Sequence, residues 1–246
     1  MPNKSEYPQL IEAVCQLVFP SPEVGGPPWD PSVPDRVYER IRGEFPNRSA
    51  AHKPEIAVPL VQRDKVIGNL VGPDIEQFKR EEPPSMVQIG RNILVINQLE
   101  PYSGWSDFKD LIIQMYRLFG ELAHPGNPFN GGIRHIYTLG EAGPYFMIGE
   151  YLKEMPPFDL AGTHILLSFY QRYEISIEDP TGMLLHTSGL YTTNGSRSVI
   201  LDLDFTSDVV QDLAWGREDV FATWLDAVND RLIEACAASL NPERSQ

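Results

Sequence analysis

The chain has 246 residues, 42% of them hydrophobic and 10% aromatic, enough for a substantial core and too apolar for global disorder. Its 34 acidic residues against 20 basic ones give a net charge of −14, a field that repels a phosphate backbone and disfavours nucleic-acid partners. No apolar run approaches the roughly 20 residues a bilayer-crossing helix needs, and no signal-peptide stretch follows Met1, so a soluble cytoplasmic protein without membrane contact is expected.

The opening run, residues 10–19, is nearly continuous in apolar character, with Ile11, Ala13, Cys15, Leu17 and Phe19 on one face at period two, as a buried strand requires. A proline-rich connection leads to Ser32, a helix N-cap, and Pro34, suited to a first turn. Val33, Val37, Ile41 and Phe45 then make one stripe. Arg36, Arg40, Arg42, Arg48 and Lys53 form a local basic cluster, read as the solvated face of that helix.

Residues 55–62 read as a strand that Pro59 confines to an edge or bulge. A hairpin follows: Ile75 to Arg80, a turn at Glu82-Pro83-Pro84-Ser85, then one long arm from Met86 to Leu99. Val87, Ile89, Ile93, Val95 and Asn97 are placed on one face of that arm, with Gly90 at a bulge or close backbone approach.

Phe108, Leu111, Ile112, Met115, Leu118, Phe119 and Leu122 recur at helical spacing after Trp105, with Ser103 or Ser106 as caps and His124-Pro125-Gly126 as a stop. Residues 131–140 form a strand. Beyond Pro157, the runs 163–178, 182–193 and 197–206 form a meander joined by Asp179-Pro180-Thr181-Gly182 and Asn194-Gly195. A last helix spans roughly 217–240, its stripe running from Phe221 to Cys236.

These elements predict an α+β fold in one domain, residues 1–246, with pseudo-halves 1–143 and 144–246. A single antiparallel or mixed sheet is covered by about three helices. The N-terminal order permits a ferredoxin-like split βαβ half, and the C-terminal half is a β-meander plus helix. Cys15 and Cys236 lie in apolar patterns without ligand spacing and read as buried thiols.

Ile11-Glu12-Ala13-Val14-Cys15, Ile96-Asn97-Gln98-Leu99, Pro101-Tyr102…Gly104-Trp105…Phe108, Arg134 and Leu201-Asp202-Leu203-Asp204-Phe205 together resemble a sporadically distributed bacterial family of uncharacterised proteins of about this length. The resemblance covers nearly the whole chain and implies a fold rather than an activity. Arg134-His135-Ile136-Tyr137 departs from the family's Arg-Tyr-Ile-Asn pattern. The sporadic distribution suggests an antitoxin or bacterial defence component, in which an acidic protein neutralises a basic toxin.

Asp202 and Asp204 lie two apart on a strand, so their carboxylates share one face. That spacing suits Mg²⁺ or an acid/base pair, but also the polar side of a half-buried strand. Arg134 suits a carboxylate or phosphate, or a structural pair with Glu12 or Asp202. His135 faces the opposite way, and the absence of a nucleophile motif makes it a surface histidine. Tyr102 and Trp105 suit a ligand pocket, or a strand-to-helix corner whose rings pack beneath the sheet. His52, His124, His164 and His186 show no ligand spacing, and no phosphate-loop, dinucleotide or hydrolase motif is present.

The expected function is therefore a non-catalytic protein-binding or regulatory role, with a protein partner or a homo-oligomer and no cofactor. The alternative is a metal-assisted hydrolase or nuclease-like enzyme using Asp202 and Asp204 with Mg²⁺, Arg134 steadying an anion.

Overall fold

The computed structural model describes residues 8–22, 25–51, 59–62, 65–69, 75–141, 148–153, 168–193, 196–208 and 217–241. Along the first strand, β1 (Gln9–Val18), Ala13, Cys15 and Leu17 are fully buried while Glu12, Val14 and Gln16 point to the other face. The period-two pattern thus does what it predicts. Helix α1 (Val33–Ile41) begins after Ser32 with Pro34 in its first turn and buries Val33, Val37 and Ile41. The Ser32 hydroxyl does not cap the helix; it donates to Asp30 at 2.7 Å.

A short strand that the polar sequence Asn-Arg-Ser-Ala-Ala conceals, β2 (Asn47–Ala51), follows. Strands β3 (Pro59–Gln62) and β4 (Lys65–Asn69) pair in a small separate sheet; residues 55–58 of the expected strand lie outside the described residues.

The expected long arm from Met86 to Leu99 is two strands. After β5 (Ile75–Arg80) come β6 (Ser85–Gly90) and β7 (Ile93–Leu99), antiparallel to each other through a turn at Arg91-Asn92. The turn switches the burial parity, so Val87 and Ile89 face the helices with Leu94 and Ile96, whereas Val95 and Asn97 face away. Gly90 sits where the backbones crowd: a Cβ there would lie 2.9 Å from the Ile93 side chain.

Helix α2 (Trp105–Ala123) starts at Gly104, whose φ of +113° excludes most side chains, and stops at His124 in the left-handed region. Neither Ser103 nor Ser106 caps it. The second half contributes β8 (Asn130–Glu141), a 3-10 turn (Ile148–Glu150), β9 (Tyr170–Glu178), β10 (Thr181–Thr193), β11 (Ser196–Ser207) and α3 (Glu218–Ser239). Residues 163–167 and the Asn194-Gly195 turn lie outside the described residues.

Nine strands form one antiparallel sheet in the order β2-β5-β6-β7-β1-β8-β11-β10-β9. A split βαβ arrangement is formed by β7, α2 and β8: β7 and β8 run parallel, joined through α2, with the single strand β1 between them. The connection through α1 makes no second unit of that kind, because β1 and β2 run parallel with three strands between them. The order also mirrors itself about the β1–β8 pair. Each half is a long central strand, a three-stranded meander and a helix: β1, β5-β6-β7 and α2 on one side, β8, β9-β10-β11 and α3 on the other.

The three α-helices among the described residues lie on one face. Phe19 packs on Phe119 of α2, Phe78 stacks on Tyr38 of α1, and His186 bonds Ser239 of α3. Between the layers Phe19, Phe45, Phe78, Phe108, Phe119, Phe205 and Phe221 are wholly enclosed, each burial contributing on the order of 2 kcal/mol. Cys15 and Cys236 are free, buried thiols; burial pushes Cys15 up to about 12 and Cys236 up to about 11.

Candidate functional site: the polar seam of the open sheet face

Because side chains alternate along each strand, the face away from the helices carries a second set of residues in register. Lys79, Met86, Asn97, Val14, Arg134, Asp204, Leu185 and Glu174 form one row across eight strands. The adjacent row brings Glu12, Ile136, Asp202, Thr187 and Arg172 together. None of α1, α2 or α3 packs on these rows.

A chain of side-chain hydrogen bonds runs along this face. Gln77 Nε2 donates to Gln88 Oε1 at 3.1 Å, Gln88 Nε2 to Asn97 Oδ1 at 3.0 Å, and Asn97 Nδ2 to Glu12 Oε1 at 2.6 Å. On the other side of the β1–β8 pair the Arg134 guanidinium of β8 donates to both oxygens of Asp202 on β11, Nε to Oδ1 at 2.7 Å and Nη2 to Oδ2 at 2.6 Å. This is the bidentate fork that suits arginine and a carboxylate. Asn97 is only 5% exposed, so the seam is buried at one end and opens towards Arg134.

The electrostatics follow from this geometry. The hydrogen bonds it donates to Asp202 hold the Arg134 guanidinium well above its ordinary value, with Asp202, Asp204 and Glu12 adding charge attraction. Asp204, directly opposite Arg134 in the ladder, is pushed up to about 6 by burial and by the Asp202 charge, against the pull of Arg134 and Arg172. The two aspartates therefore share a face but differ in surroundings: Asp202 is held in an ion pair with Arg134, and burial raises Asp204 to about 6.

That arrangement makes a poor metal centre, because both Asp202 oxygens are already occupied by Arg134. Among the described residues no group of three or more His, Cys, Asp or Glu side chains is placed to hold a metal ion. The seam can instead offer donors, acceptors and one titrating carboxyl to a surface laid across it.

His135 is on the opposite face, as alternation requires, but it is not a surface histidine. It is 2% exposed, its Nδ1 lies 3.2 Å from the Tyr137 hydroxyl, and burial lowers it to about 4. The helix layer covers that position, which the four-residue stretch Arg134-His135-Ile136-Tyr137 does not reveal by itself. Tyr102 and Trp105 take the corner role: their rings meet Phe108 edge-on at 6.3 and 6.2 Å. Trp105 Nε1 donates to Asp226 of α3 at 2.8 Å, and Lys109 joins the same carboxylate, tying α2 to α3. Tyr102, Trp105 and His135 therefore do not join Arg134, Asp202 and Asp204 in one cleft.

The basic cluster is dispersed too. Arg48 sits on β2, bridges Asp35 and Glu76 at 2.7 and 3.0 Å and lies over the Tyr38 and Phe78 rings. Arg36 pairs with Asp30, and Arg42 with Glu39. Lys53 is outside the described residues. Sequence reasoning missed Gln77, Gln88 and Asn97 as one network, because three polar residues on three strands become neighbours only once the register is known.

No helix among the described residues is long and apolar enough to cross a membrane. No family model matches the chain, and no curated protein matches it. Among solved structures, Methanococcus jannaschii TBP aligns over 90% of this chain and 98% of its own at 10% identity, with a TM-score of 0.24. A likeness of that size says nothing about what this chain binds.

Proposed function

We propose that the protein is a non-catalytic binding or regulatory protein that lays the open face of its sheet against a protein partner. The observation that carries this reading is a broad sheet face on which no described helix packs, and whose polar side chains form an ordered network. Such a face is built for recognition: preorganised hydrogen-bonding groups lie between apolar neighbours such as Val14, Val95, Ile136 and Leu185. Arg134 is already spent on Asp202, and among the described residues no serine, cysteine or histidine nucleophile set lies beside them, which weighs against an active site. With a net charge of −14, a partner bearing a basic surface is favoured.

The test uses the full chain as bait in extract from its own source cells, with substitutions on each face. Met183 and Leu99 are exposed on the open face, and Ile233 is exposed on α3. A stoichiometric partner that is retained by Ile233→Glu and lost by Met183→Glu/Leu99→Glu supports the proposal. A partner that ignores the open-face pair, or no stoichiometric partner at all, defeats it.

A further inference from the structure

The two edges of the sheet are unlike. At one edge β2 has five residues, and its Arg48 is tied down to Asp35 and Glu76. At the other, β9 has nine residues, Tyr-Gln-Arg-Tyr-Glu-Ile-Ser-Ile-Glu, paired to β10 without a register shift. It has no proline, no lysine and no bulge to blunt it, and its charged side chains all lie on one row. Its side chains are exposed on both faces. Tyr170, Tyr173 and Ile175 are 61%, 41% and 41% exposed.

Tyr173 and Ile175 belong to the helix-covered parity, since they pair with His186 and Leu184. They are nonetheless exposed because the helix layer stops short of them. Beneath β9 a groove of about 840 Å³ opens between the strand and α3, lined by Tyr173, Ile175, Leu184, Ala235 and Ala238. The edge thus overhangs, with apolar side chains below and charges above.

We infer that this edge pairs with β9 of a second copy of the chain, antiparallel about a twofold axis, continuing one sheet through both copies. The charge pattern on the upper row is self-complementary. Arg172, Glu174 and Glu178 share that row. A twofold axis through Tyr173 sets Arg172 opposite Glu174 of the second copy. An axis through Ile175 sets it opposite Glu178. Either register makes two ion pairs across the joint, and an axis through Glu174, which would oppose like charges, is disfavoured. Among the described residues Arg172 forms its ion pair with its own Glu174, at 3.0 Å and half exposed, a partner it can exchange. Below the joint the two overhangs cover each other's Tyr173 and Ile175, which gives the contact its apolar half.

The pairing is tested by sedimentation equilibrium on the purified full chain between about 5 and 200 µM, with circular dichroism to verify folding of every variant. Wild type is expected to dimerise. Arg172→Glu makes the upper row wholly acidic and is expected to raise the dimer dissociation constant at least tenfold. The double variant Glu174→Arg/Glu178→Arg makes the row wholly basic and is expected to do the same. Mixing the two folded variants is expected to restore a one-to-one dimer in any register. A wild type that stays monomeric throughout, an Arg172→Glu chain that dimerises undiminished, or a mixture that fails to associate would each overturn the inference.

Discussion

Glu12 and Arg134 hold the same place in the two halves of the sheet. Glu12 pairs directly with Leu99 in the ladder but takes its hydrogen bond from Asn97, two residues before it. Arg134 pairs directly with Asp204 but bonds Asp202, again two residues before. Each residue sits on the central strand of its half, and the two strands are neighbours. The mirrored topology thus places an acid and a base on adjacent central strands, offset by two residues in the ladder, each with its own diagonal partner. The centre of the open face is fixed by polar contacts as well as by the ladder.

The Arg134–Asp202 fork is expected to be coupled. Asp202→Ala leaves a partly buried guanidinium without its acceptor and is expected to cost about 2 kcal/mol. Arg134→Met costs a similar amount by stranding Asp202. The double variant Arg134→Met/Asp202→Leu should recover much of the loss, with a coupling energy of roughly 1–2 kcal/mol in urea denaturation. Strict additivity of the two single losses would show that the fork contributes nothing as a pair.

Asp204 gives the open face a pH dependence of defined sign. Its folded value of about 6 lies above its ordinary 3.8, so the folded chain holds this proton more tightly than the unfolded chain. The stability it contributes is fully present below about pH 4, declines as pH rises to about 6, and is absent above that. Asp204→Asn should therefore be more stable than wild type at pH 7.5, by about 1–2 kcal/mol, and no more stable at pH 4. A difference that is the same at both pH values would remove the assignment. Partner binding that uses Asp204 as an acceptor should strengthen over the same interval as the carboxylate forms.

His135 should do the reverse. Burial lowers it from 6.5 to about 4, so the unfolded chain takes up a proton before the folded one does. Stability contributed by the neutral ring is present above pH 6.5 and is lost as pH falls towards 4. The ring carbon and nitrogen resonances of His135 should stay those of neutral imidazole down to pH 5. A midpoint near 6.5 would place the ring in water and contradict its enclosure.

Most of the architecture was legible because burial repeats locally. Ala13, Cys15 and Leu17 announce β1 by alternation, and Phe108, Ile112, Met115 and Phe119 announce α2 by helical spacing. What failed was information that only pairing supplies. Arg91-Asn92 is a weak turn signal between two apolar runs, and without it Val87 and Val95 fall on one face instead of two. The pair Asp202 and Asp204 could be set on one side from sequence, and Arg134 could be offered as a partner. Which of Glu12 and Asp202 it takes depends on the diagonal geometry of β8 against β1 and β11, and the burial of His135 depends on where the helix layer lies.

The close approach of β8 and β11 makes a sharp prediction at Gly132. A Cβ added there would stand 2.3 Å from the Phe205 carbonyl oxygen and 3.2 Å from the Thr206 methyl. The first contact is with backbone, which cannot swing aside, so the two strands must part where Phe205 anchors the core. Gly132→Ala is expected to cost more than about 2 kcal/mol, within the range of overpacked interior sites. Gly43, beyond α1, is the matched control: a Cβ there meets nothing within 4 Å. Gly43→Ala should leave the melting temperature unchanged or raise it slightly, since it only restricts the unfolded chain. Equal melting temperatures for the two variants would mean that β8 and β11 are not packed as closely as the ladder of Arg134, Asp202 and Asp204 requires.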